Sequence, residues 1–195
     1  MPFMASYQDR VESANRLALE ISHQCPGVVI LLAAQLGDTV PPREVGFARI
    51  AAALECVTRP IAIYLEDDIS LADGFGAKLE RVIRERFSPG PKTAVSLFSI
   101  EPRPDGYHRA RMPFCYAQTL IMPGWLMREW AAALVPWAHE ERTQKYHFAH
   151  DICFGEVCDA NGVEILVHYP SLVQHLPMTS ACGHTHCPTS PTFKG

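Results

Sequence analysis

Three consecutive carboxylates, Glu66, Asp67 and Asp68, follow directly on the apolar run "IAIYL", Ile61–Leu65. Side chains alternate across a strand, so extended geometry carried this far would put Glu66 and Asp68 on one side and Asp67 on the other. Two carboxylates sharing a side repel unless a cation or a proton offsets them. A hard divalent ion such as Mg2+ or Mn2+ suits oxygen ligands of this kind and can bridge to a diphosphate. The plainer alternative is that these acids cap the next helix or sit solvated in a turn.

A second set lies near the C-terminus, where "ACGHTHCP" holds Cys182, His184, His186 and Cys187. These ligand types are compatible with zinc, although the spacing is tighter than in ordinary finger pairs. Arg103, Arg109 and Arg111 carry guanidinium groups suited to phosphate, and each taken singly is read as a solvated loop residue. Trp125 can stack on an acceptor sugar or base, whereas Trp130 is expected in the core. Cys153 and Cys158 lie off a common helical face and are read as buried thiols.

The elements that must position these groups follow from hydrophobic period. Apolar residues recur at helical spacing from Ser6 to Gln24, and Cys25-Pro26-Gly27 stops them. "VVILLA", Val28 to Ala33, and Ile61 to Leu65 read as buried strands, with a helix from Arg43 to Val57 between them. Further helices are expected over Gly74 to Phe87, over "GWLMREWAAALVPW" and from Ala149 to Ala160, the last ended by Asn161-Gly162. Strands are expected at "TAVSLFSI", "CYAQTLIMP" and "VEILVHY". Glu101 to Phe114 is expected to be a long loop or small hairpin. The alternation predicts an α/β fold with a mostly parallel central sheet and helices on both faces.

The chain has 195 residues, 48% of them hydrophobic and 19% charged. That suits one sizeable core, so residues 1–195 are expected to form a single domain with 176–195 as an extended tail. A formal net charge of -4 argues against a broadly basic surface that coats nucleic acid. Seven cysteines without the spacing of a disulfide framework agree with a reducing compartment. No run reaches the roughly 18 apolar residues of a membrane helix. The N-terminus lacks the pattern of a secretion signal. A cytoplasmic protein with no membrane partner is the expectation.

"YLEDD", "HDICFGEV" and "PSLVQH", in that order, resemble segments of small GT-A-type glycosyltransferases, including family 25-like enzymes and others frequent in phage genomes. The resemblance implies a Rossmann-like GT-A domain that uses Mn2+ or Mg2+ to bind a nucleotide-sugar donor. By that likeness Asp68 is the main metal ligand, and Glu66 or Asp67 contacts the ribose or completes the metal shell. His175 matches a late histidine that joins the metal. Gln35, Asp38 and Arg43 fall where such a fold holds the nucleotide. Asp151 matches an acceptor-side acid that would take the proton of the attacking hydroxyl. Asp is also a favoured helix N-cap. The preceding residue is His150, where relatives often carry a second acid, and this departure bears on the assignment of the base.

The function implied is transfer of a sugar to a hydroxyl of a saccharide, a protein or a hydroxymethylated base of phage DNA. The contrasting expectation is a non-catalytic nucleic-acid or protein-binding module with a zinc site in the "CGHTHC" tail.

Overall fold

The computed structural model describes residues 7–25, 51, 52, 55, 58–87, 92–143, 150–176 and 188–195. The expected strand at Val28 to Ala33, most of the helix from Arg43 to Val57, and the Cys182, His184, His186 and Cys187 set lie outside these residues. So do Gln35, Asp38 and Arg43.

Four helices and seven strands are described: α1 (Tyr7–Gln24), β1 (Ile61–Leu65), β2 (Ile69–Leu71), α2 (Phe75–Arg86), β3 (Thr93–Ser96), β4 (Gly106–Arg109), β5 (Thr119–Pro123), α3 (Gly124–His139), α4 (His150–Ala160), β6 (Glu164–Tyr169) and β7 (Val173–His175). Five strands form one sheet in the order β1-β5-β3-β6-β4, and β2 pairs with β7 in a separate ribbon.

The expectation of a mostly parallel sheet is corrected here. Only β3 and β6 are parallel neighbours; β1–β5, β3–β5 and β4–β6 are antiparallel. The reason lies in the connections. Parallel neighbours require a crossover, usually helical, and no helix separates β3 from β5. β5 therefore inserts antiparallel between β1 and β3. Two reversals restore direction, so β1, β3 and β6 still point the same way and end at the same edge.

Strand alternation divides the core between the two sheet faces. Ala62, Ala94, Leu120, Met122 and Ile165 pack with Trp130, Leu134 and Phe154 of α3 and α4. Their neighbours Ile63, Val95, Ile121 and Leu166 pack instead with Leu17 and Ile21 of α1 and Phe75, Leu79 and Val82 of α2. Helices thus cover both faces, as the sequence predicts. Trp130 is fully buried, Trp125 is exposed, and Cys153 and Cys158 are buried free thiols. No helix among the described residues is long and apolar enough to cross a membrane.

The expected stop of α4 is built from two hydrogen bonds. Gly162 adopts φ 63°, Val163 N–H donates to the Cys158 carbonyl at 2.8 Å, and Gly162 N–H donates to the Asp159 carbonyl at 3.1 Å. This closes the helix with a left-handed glycine and reverses the chain into β6. The helix N-terminus is thereby returned to the edge where β6 ends.

Candidate metal centre

The acidic turn is fastened at each of its three residues. Glu66 N–H donates to the Gln118 carbonyl at 3.0 Å and extends the β1–β5 pairing by one step. The chain then bends, and the Asp67 carbonyl accepts from Ser13 Oγ at 2.6 Å. Ser13 lies on the inward stripe of α1 with Leu17 and Ile21, which is why a polar side chain there reaches the turn. The Asp68 carbonyl accepts from Leu176 N–H at 2.8 Å. Pairing of Ile69 with His175 in the β2–β7 ribbon brings the late histidine alongside.

Glu66, Asp68 and His175 converge as a result, each offering one ligand atom with all three atoms within 4.8 Å of one another. Asp68 and His175 are buried, and His175 Nε2 lies 3.3 Å from Asp68 Oδ2. Phe98 meets the His175 ring edge-on at 6.3 Å. A divalent ion bound at about 2.0–2.3 Å to oxygen or nitrogen spaces its ligands by roughly 3–4.6 Å. The residues present fit such an ion in donor type, number and spacing. Asp67 is not one of the trio, and its described contact is through its backbone.

Glu66 also meets a histidine from α4. Its Oε1 lies 3.2 Å from His150 Nε2, and the Tyr64 hydroxyl lies 3.1 Å from the same nitrogen. His150 is held in turn by Trp130, whose Nε1–H donates to the His150 carbonyl at 3.2 Å and whose ring stacks on the imidazole at 6.0 Å. Burial, reinforced by Glu66, Asp67, Asp68 and Asp151, pushes the Tyr64 phenol well above its ordinary range. Tyr64 therefore stays neutral and acts only through hydrogen bonds.

Asp151 occupies the first turn of α4 and accepts from Ile152 N–H at 2.9 Å. Burial pushes its carboxyl above the ordinary value; His150 and the helix N–H groups oppose this, and Glu66 adds to it. Asp151 thus stands in the first turn of α4, next in sequence to His150, which meets Glu66.

Among the other candidates, Arg103 and Arg111 both pair with Glu101 at 2.9 Å. Arg109 reaches Glu164 at 3.7 Å. All three already have carboxylate partners.

Sequence reasoning assigned no role to Tyr64 or Ser13 and noted His150 only as a departure. Period-two alternation was the available signal for Tyr64, since it places that residue on the side of Glu66 and Asp68. No local signal marks Ser13, whose partner is far away in the chain. No protein-family model, curated protein or solved structure matches this chain.

Proposed function

We propose that this chain is a metal-dependent glycosyltransferase of GT-A type that takes its sugar from a nucleotide-sugar donor. The observation that carries the reading is the convergence of Glu66, Asp68 and His175 just beyond the carboxyl end of β1. In open α/β sheets of parallel strands ligands gather outside the carboxyl ends of the strands, where loops and helix N-termini meet. The shared direction of β1, β3 and β6 supports that comparison despite the antiparallel insertion of β5.

Glu66, Asp68 and His175 would hold the ion, and their mixed oxygen and nitrogen donors favour Mn2+ over Mg2+. When bound, the ion supplies positive charge against the diphosphate that departs with the nucleotide. The protein's own residues do the rest. Asp151, on the first turn of α4, is the base: as an acceptor hydroxyl oxygen bonds to the anomeric carbon and the sugar–diphosphate bond breaks, the hydroxyl proton passes to its carboxylate. Burial suits it to this task, because a carboxylate with a raised pKa binds the proton more strongly. The pinned turn contributes by holding Glu66 and Asp68 in place before the donor arrives.

A thermal-shift screen of nucleotide sugars, with and without Mn2+, tests the reading. One donor is expected to stabilise the protein only when Mn2+ is present, and Asp68→Ala is expected to abolish that shift. Donor binding of equal strength without metal, or no response to any donor, would overturn it. Tightly bound zinc in the purified protein together with donor silence would point instead to a binding module.

A further inference from the structure

The imidazole of His150 is placed where it can control a metal ligand it does not replace. His150 Nε2 lies 3.2 Å from Glu66 Oε1, and because a carboxylate oxygen only accepts hydrogen bonds, this nitrogen can hold it when a hydrogen stands on Nε2. The Tyr64 hydroxyl hydrogen-bonds the same nitrogen at 3.1 Å, as acceptor or donor according to the ring tautomer. Ring rotation is opposed by Trp130, stacked at an interplanar angle of 24°, and by Tyr64 at a ring distance of 5.8 Å. The backbone of His150 is tied to Trp130 as well. His150 thus holds a ring nitrogen in a fixed place beside one carboxylate of the trio, and the residue after it is Asp151.

We infer that His150 is a positioning residue: its Nε2–H holds the Glu66 carboxylate in the orientation that ligates metal and ties the metal centre to the first turn of α4. The inference rests on the metal reading above. Partners that orient a ligating group commonly change metal affinity by about 10- to 100-fold when removed. One contact here serves two ends, because moving His150 away from Glu66 also changes where Asp151 stands.

Two substitutions separate the N–H from the ring. His150→Phe keeps an aromatic ring against Trp130 and removes the donor, whereas His150→Gln removes the ring and keeps an amide N–H of similar reach. The measurement is the affinity for Mn2+ alone, followed by electron paramagnetic resonance, on full-length proteins whose folding is checked by circular dichroism. His150→Phe is expected to weaken Mn2+ binding by about 10- to 100-fold and His150→Gln to retain most of it. In a Glu66→Ala background, His150→Phe is expected to weaken binding no further, as required if it acts through Glu66.

The reverse order, with Phe tolerated and Gln not, would assign His150 to packing and overturn the inference. So would independent, multiplying losses from Glu66 and His150. Mn2+ binding lost in Asp68→Ala but unchanged in His150→Phe overturns this inference alone, while no Mn2+ binding by the unaltered protein overturns the metal reading and the inference together.

Discussion

Asp151 sits at odds with its own charge. Its carboxyl is mostly removed from water, and burial raises its pKa above the ordinary value of 3.8. The folded chain therefore favours the protonated form more than the unfolded chain does. In the metal-free protein this acid is least costly at low pH and costs progressively more as pH rises through its raised pKa. Asp151→Asn removes that cost while leaving an oxygen for the Ile152 N–H. The variant is expected to be more stable than the unaltered protein at neutral pH, with the gap closing as pH falls toward 3.8, as read by urea unfolding across pH. If Asp151 serves as the base of the proposed transfer, that stability gain would come with loss of the activity, the pattern of a residue kept for chemistry. At this scale the paired carboxylates Glu66 and Asp68 were legible from their place at a strand end, whereas His175 was singled out only by the likeness of the segment around it. The Tyr64–His150 contact was not, since it joins residues 86 positions apart and both types are common in cores.

Helices α1 and α2 are locked at their junction. Gly76 N–H donates to Gln24 Oε1 at 3.2 Å, and a Cβ built at Gly76 would overlap the Gln24 backbone carbonyl. A backbone oxygen cannot swing aside as a side chain can, so α1 would have to shift, carrying Ser13 from the Asp67 carbonyl. Gly76→Ala is expected to destabilise the fold by about 1–3 kcal/mol, measured by chemical unfolding, although alanine normally favours a helix. The major elements themselves were readable: β1 matches its predicted span, and α2 and α4 match theirs to within a residue at each end. Neighbour choice was not readable. β5 between β1 and β3 is set by tertiary pairing, and β2 and β7, three residues each, are too short to show a period.

Among the described residues two cores meet through one sheet, with the candidate centre at the sheet's end, where β1 passes into the β2–β7 ribbon. A ligand held there by the folded chain alone adds its binding free energy to stability. At about 100 times its Kd, Mn2+ would contribute about 2.7 kcal/mol. For a chain of this size Tm is then expected to rise by roughly 5–10 °C, and Asp68→Ala or His175→Ala is expected to erase the rise in a differential scanning experiment. The ribbon has another outcome. Asp68 is followed at once by β2, but its partner β7 and the candidate ligand His175 come last among the described strands. During synthesis a ribosome exposes the acidic turn long before it exposes the strand that completes it. Any metal capture at this candidate centre would therefore wait until β7 emerges, and an ion bound there would bridge an early segment of the nascent chain to a late one.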